Sequence, residues 1–356
     1  MSSDINSFDA APSMRSTRAK IAHLDACLLE SVEYRKSAGF ERWDFINQAA
    51  VDISLSAIDI STTFIGKNLT APLMIAPMTG GITRGAELNR RWALAAQHFG
   101  IAMGVGSQRI ALENPSRSPY YEIRKYAPSI PLFANLGAAQ LCRGYGPTEA
   151  LAAVEMIGAD GIFIHLNAIQ EACQGSEVHF DGLLRQISAL CEILDKHHVP
   201  VFVREVCFGL SSAAARRLID VGVSGLDCSG AGGTSWAKVE AACAQSENAR
   251  ALALSFGEWG IPTAESIVNV RKVCSKIPLV ASGGIRSGID VAKSLALGAN
   301  IAAIARPILL AAVESEEKLH AYIERILAQL RICMLGTGTH TIAELRQGQQ
   351  LTDVFK

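Results

Sequence analysis

Ser282-Gly283-Gly284 and Ala305-Arg306 are the residues whose types and spacing point most directly to chemistry. The first group ends an apolar run, Pro278 to Ala281, and precedes an amphipathic helical pattern, Ile289 to Ala296. The second ends the run that begins at Asn300. Glycine at a strand-to-helix turn lets backbone N–H groups approach an anion, and the following helix N-terminus adds partial positive charge. Two such turns, late in a chain of strand–helix units, match the phosphate site of a (β/α)8 barrel. The bland alternative is a βα turn in which glycine only tightens the loop. Near the start of the chain, Lys20 and His23 lie at i, i+3 of a predicted helix, Arg18 to Glu30, and so share one face. Cys207 and Cys228 are conceivable nucleophilic thiols. The nine cysteines are scattered, however, with no Cys-x-x-Cys pair, and read as reduced core residues.

These groups need a scaffold, and the repeat that supplies it begins at Leu73. Apolar runs at Leu73–Ala76, Ile101–Val105, Pro131–Ala134, Gly161–Ile164, Val199–Val203 and Gly225–Cys228 precede the two phosphate-turn strands, making eight. Short apolar runs are expected where both faces of a strand are covered. Helical patterns separate them, for example Ala86 to Phe99 and Ser212 to Val221. Polar or glycine residues follow each strand, which is the catalytic face of such a barrel. The expected fold is therefore α/β, a (β/α)8 TIM barrel with an N-terminal helical and strand extension. Residues 1–15 are expected to be disordered and 16–356 to form one domain. Alternation over Val51 to Phe64 suggests strands across the barrel bottom. A long excursion after strand six, residues 231–262, has the length of a lid.

Composition agrees with a large enzyme core. Of 356 residues 49% are hydrophobic and 19% charged, and the net charge of -1 argues against nonspecific nucleic-acid binding. No apolar run has the length of a membrane span, and residues 1–12 carry no signal-peptide core. A cytoplasmic protein that forms a homo-oligomer is expected.

The motifs Ala76-Pro77-Met78-Thr79-Gly80-Gly81, Gly106-Ser107-Gln108-Arg109, Asn135-Leu136-Gly137, His165 to Glu171, Gly230 to Trp236, Trp259 to Thr263 and Ser282 to Arg286 occur in this order at the strand ends. With them the chain resembles the flavin-dependent, type 2 isopentenyl-diphosphate isomerases over nearly its whole length. The resemblance implies a (β/α)8 barrel that binds FMN and interconverts isopentenyl and dimethylallyl diphosphate with reduced flavin as acid–base cofactor. It implies that Met78, Thr79, Ser107, Asn135, Arg204, Ser229, Thr234, Gly283, Gly284, Ala305 and Arg306 line the flavin. It assigns Lys20, His23, Gln108, Arg109, Gln170 and Ser211 to the substrate, Gln170 to proton relay and Glu171 to Mg2+. NADPH would serve only to reduce the flavin. The chain departs from the family pattern at Ala19, at Arg204, where the family has lysine, and in Gly175 to Phe180. An FMN-dependent 2-hydroxyacid oxidase or dehydrogenase, and a non-catalytic FMN-binding protein, are the alternative assignments.

Overall fold

In the computed structural model, which describes residues 12–175 and 178–355, eight parallel strands close into a barrel. They are β1 (Leu73–Ile75), β2 (Ala102–Gly104), β3 (Leu132–Gly137), β4 (Gly161–Leu166), β5 (Val201–Glu205), β6 (Gly225–Asp227), β7 (Leu279–Ser282) and β8 (Ile301–Ile304). Neighbours in sequence are neighbours in space, and β8 closes on β1 through Ala302, Ala303 and Ile304 opposite Leu73, Met74 and Ile75. Nearly every strand residue is buried. That is why these segments read as unbroken apolar runs rather than alternating ones.

The inward faces are layered by the two-residue strand period. Phe133, Phe163 and Phe202, on β3, β4 and β5, meet inside the barrel, with ring centroids 4.6 Å apart for Phe133 and Phe163 and 5.3 Å for Phe133 and Phe202. Two residues further along the same strands stand Asn135, His165 and Arg204. Strand rise places this polar tier about 7 Å nearer the C-terminal mouth. The register agrees: His165 is opposite Arg204, and Arg204 opposite Asp227.

The other end is plugged by a hairpin, Thr62–Phe64 with Lys67–Leu69. Its turn takes positive φ at Ile65 (44°) and Gly66 (76°), the form that matches strand twist. Phe64 and Leu69 enter the same interior cluster as the three phenylalanines. Strand structure in the Val51–Phe64 stretch is thus confined to Thr62–Phe64; Leu55–Ala57 is a 3-10 turn instead.

The first helix, α1, spans Pro12–Ala26. It begins earlier and ends earlier than Arg18 to Glu30, so Pro12 to Arg15, expected to be disordered, are helical; residues 1–11 lie outside the described residues. The 231–262 excursion holds two helices, Trp236–Cys243 and Glu247–Ser255. It is fastened to the segment after α1: Lys238 Nζ donates to Glu33 O and Glu258 Oε1, both 2.6 Å, and Tyr34 Oη donates to Trp259 O at 2.7 Å. Those bonds make it a side wall of the barrel mouth. Among the described residues no helix is long and apolar enough to cross a membrane.

Candidate active site

One cavity of about 320 Å3 occupies the C-terminal mouth of the barrel. All eleven residues expected to line a flavin border it: Met78 and Thr79 after β1, Ser107 after β2, Asn135 on β3, Arg204 on β5, Ser229 and Thr234 after β6, Gly283 and Gly284 after β7, and Ala305 and Arg306 after β8. Lys20, His23, Arg109 and Gln170 line it as well.

The glycine turns fit a phosphate-bearing cofactor because no side chain could stand there. A Cβ on Gly283 would fall 2.1 Å from Gly230 O, and one on Gly233 would fall 2.6 Å from Gly284 N. Gly283 and Gly284 also take φ of 97° and 70°, which strains any other residue. Backbone of the β6 and β7 turns is therefore pressed together, and Gly230, Gly233, Gly283 and Gly284 all border the cavity as a cradle.

At the cavity floor, Arg204 and Asp227 form a buried ion pair, Nε to Oδ2 3.4 Å. Asp227 Oδ1 accepts from Ser282 Oγ at 2.6 Å and from Ser229 N at 3.1 Å, tying β6 to β7. Burial raises the Asp227 carboxyl pKa, and Arg204 opposes that rise. Asn135 Nδ2 donates to Val105 O at 3.0 Å, so its Oδ1 is free to accept from His165 Nδ1 at 2.7 Å. Burial first, then the Arg204 charge, pull the His165 pKa down to about 3. The imidazole is neutral at physiological pH, with its proton on Nδ1.

The wall facing the cradle is built on α1 and the excursion. Glu240 is the hub. It is 5% exposed, accepts from Gln170 Nε2 and Gln174 Nε2 at 2.7 Å each, and faces His23 Nε2 at 3.2 Å. His23 also packs edge-on against Trp236, centroids 5.5 Å apart. Neither Glu240 nor Gln174 was singled out in the sequence. The available signal was spacing: Trp236 and Glu240 stand at i, i+4 on the helix that opens at the Gly230–Ser235 turn.

Lys20 is held more tightly than a free phosphate ligand. Its ammonium has three N–H groups, and they go to Gly80 O (2.7 Å), Ser107 O (2.9 Å) and Tyr121 Oη (3.0 Å). Burial, with Arg109 nearby, pulls its pKa down to about 7.

Two expectations need correction. Gln108 is not a cavity residue: it is fully buried, its Nε2 donates to Ala153 O at 2.7 Å and its Oε1 accepts from Asn135 N at 3.0 Å. The helix starting at Arg109 turns it into the barrel wall, where it fixes Asn135. Ser211 is the N-cap of the Ser212–Asp220 helix, its Oγ accepting from Ala214 N, and it does not border the cavity. Arg306 borders the cavity, but its guanidinium bonds to Cys27 O, Leu28 O and Glu33.

Glu171 sits beside Gln170 but outside the cavity lining. It accepts from Asn167 Nδ2 at 3.0 Å and lies 3.7 Å from Arg143 Nη2. Oxygen donors of this kind suit a hard cation; among the described residues no cluster of three or more His, Cys, Asp or Glu could hold a metal alone. Cys207 and Cys228 are buried, and burial raises both thiol pKa values, which removes the thiolate a nucleophile needs.

A profile of the FMN-dependent dehydrogenase family matches residues 17–116 and 165–351. The chain is 46% identical to an isopentenyl-diphosphate delta-isomerase of Nostoc sp., covering 93% of this chain and 95% of that one. It is 47% identical to that of Xanthobacter autotrophicus, covering 93% and 96%. Solved structures with the same fold include a flavocytochrome b2 variant with sulfite bound (TM-score 0.64, 19% identity, 96% of this chain and 84% of that chain). A mandelate oxidase with (S)-2-phenylpropionate is also similar (TM-score 0.60, 17% identity, 96% and 97%).

Proposed function

The chain belongs to the flavin-dependent isopentenyl-diphosphate delta-isomerases, and from that premise we propose how its own residues divide the work of interconverting isopentenyl and dimethylallyl diphosphate. The conversion adds a proton at one end of an allylic unit and removes one from the other, with no net redox change. Reduced FMN, when bound, supplies an electron-rich face beside the alkene and a nitrogen acid–base site. The backbone of Gly283, Gly284 and Ala305 would hold its phosphate. Arg204, fixed by Asp227, supplies a permanent cation at the floor. The neutral His165 adds no charge there.

Lys20, His23 and Arg109 form the basic wall for the diphosphate. Glu171 supplies the carboxylate through which Mg2+ would meet the phosphate oxygens. Gln170 is the polar group at the reacting end, and Glu240 fixes the direction in which its amide points. An amide is a poor base, so Gln170 orients and passes a proton rather than abstracting one. NADPH enters only to bring the flavin to its reduced state.

The observation that carries this assignment is that the glycine cradle and the basic wall border a single cavity. A 2-hydroxyacid oxidase would need a His base and an Arg partner for the substrate carboxylate, and no such pair stands beside Ser282 to Arg286. Here Ile285 and Arg286 follow the turn, and Arg286 is paired with Glu33 at 3.0 Å. The test is an anaerobic assay of purified protein with isopentenyl diphosphate and Mg2+, the flavin reduced by dithionite in one arm and by NADPH in a second. Dimethylallyl diphosphate should accumulate without stoichiometric loss of NADPH. Equimolar NADPH consumption would indicate an oxidoreductase, and flavin binding without turnover a non-catalytic protein.

A further inference from the structure

Arg306 opens the helix after β8, at the phosphate end of the cavity, and its guanidinium bonds to the chain that follows α1 rather than to the glycine turns. Nε donates to Cys27 O at 2.8 Å, Nη2 to Leu28 O at 3.4 Å and Nη1 to Glu33 Oε1 at 2.7 Å. All three nitrogens thus serve the strap of chain that leaves α1. Cys27 and Leu28 follow the last residue of that helix, Ala26. A helix C-terminus presents unpaired carbonyls and partial negative charge, and a guanidinium there satisfies both. Glu33 is held a second time by Arg286 Nη2 at 3.0 Å, while Arg286 Nη1 donates to Gly232 O and Gly284 O. The turns after β7 and β8 therefore grip one carboxylate of the strap with two arginines.

We propose that Arg306 is a positioning residue for substrate binding: it caps the C-terminal end of α1, and so fixes Lys20 and His23 against the cavity, while backbone of the glycine turns holds the flavin phosphate. Its substrate half rests on the isomerase function proposed above. His23 lies one helical turn before Cys27 and Lys20 about two turns before it. Loosening the capped end therefore reaches both. The strap keeps other anchors, Tyr34 N to Gly233 O (2.8 Å), Ser235 N to Val32 O (2.8 Å) and Lys238 Nζ to Glu33 O (2.6 Å), so losing the cap loosens the C-terminal end of α1, and with it the placement of His23 and Lys20, without unfolding the barrel.

The test uses the FMN-loaded full chain and the variants Arg306→Gln, Arg306→Lys and Glu33→Gln. Amide hydrogen exchange is followed over residues 17–34, FMN affinity by flavin fluorescence, and KM and kcat with isopentenyl diphosphate. For Arg306→Gln, exchange over 17–34 should quicken roughly tenfold and KM rise roughly tenfold, with kcat within about twofold and FMN affinity within about threefold of wild type. Arg306→Lys, which keeps the charge but not the three-way bonding, should recover part of both losses. Glu33→Gln should move exchange and KM the same way, by less. Unchanged exchange over 17–34 overturns the proposal, and so does an FMN affinity weakened more than roughly tenfold, which would make the guanidinium a phosphate ligand. Exchange and flavin affinity are read without turnover, so a wild-type protein with no isomerase activity would count against the proposed function separately.

Discussion

Glu240→Gln tests the organisation of the substrate wall most sharply. The substitution keeps the side-chain shape and one neutral acceptor but removes the charge that Gln170, Gln174 and His23 share. Hydrogen bonds to a charged partner contribute about 1.5–3 kcal/mol, against about 1 kcal/mol for neutral pairs. The two glutamine bonds, both 2.7 Å, should therefore each weaken by about 1 kcal/mol. Glu240 is 5% exposed, so solvent does not screen this effect. A total of about 2 kcal/mol corresponds to roughly a 30-fold loss in kcat/KM if the orientation of Gln170 matters in the transition state. FMN affinity should not change, because the glycine cradle is on other elements. Thermal stability should change little, since the desolvation cost of the buried charge disappears together with the part of each bond that the charge supplied. The assay is steady-state turnover of the reduced holoenzyme, with a flavin titration and a melt on the same sample. A kcat/KM within threefold of wild type in a folded, flavin-loaded variant would refute the reasoning and leave Glu240 a structural acid.

Gly283→Ala places a methyl 2.1 Å from Gly230 O at a φ of 97°, so the β6 and β7 turns must part; strain of about 1–3 kcal/mol should lower FMN affinity at least roughly tenfold in fluorescence titration, with the barrel still folded. Glu171→Gln removes the one carboxylate assigned to Mg2+; activity should fall at least roughly tenfold with partial recovery at high Mg2+, and an unchanged Mg2+ dependence would return Glu171 to its pairing with Asn167 and Arg143. The Lys20 ammonium, pulled down to about 7 by burial with Arg109 lowering and Glu113 raising it, should lose its charge as pH rises through neutrality. KM for isopentenyl diphosphate should therefore climb above about pH 7, and Lys20→Met should abolish that limb. The stability sign is opposite: with the folded pKa below the unfolded one, the unfolded chain binds more protons between about 7 and 10.5, so stability gains as pH rises across that window.

The barrel was legible in the sequence because its signals are local. A strand covered on both faces must be apolar throughout, and the turn that follows must carry glycine or a polar group wherever backbone faces a ligand, so eight runs with their turns could be counted without any contact being known. The positions from Met78 to Ala305 that the family resemblance assigned to the flavin all border the cavity, because each lies at or just after a strand end and the strand ends share one mouth. What sequence could not supply was the direction of a side chain at a turn. Gln108 and Ser211 occupy loops on the catalytic face, but helix starts claimed both, one pulled into the wall and one bonded to its own helix. Arg306 borders the cavity, but the acceptors of its guanidinium lie 279, 278 and 273 residues away and left no trace in the sequence around it. Glu240 was invisible for the same reason: its importance is the meeting of His23, Gln170 and Gln174 from two other helices, separations of 217, 70 and 66 residues. Periodicity along one chain determines which face a residue is on, whereas convergence of charges from distant segments exists only after the barrel has closed and brought its strand ends to one mouth.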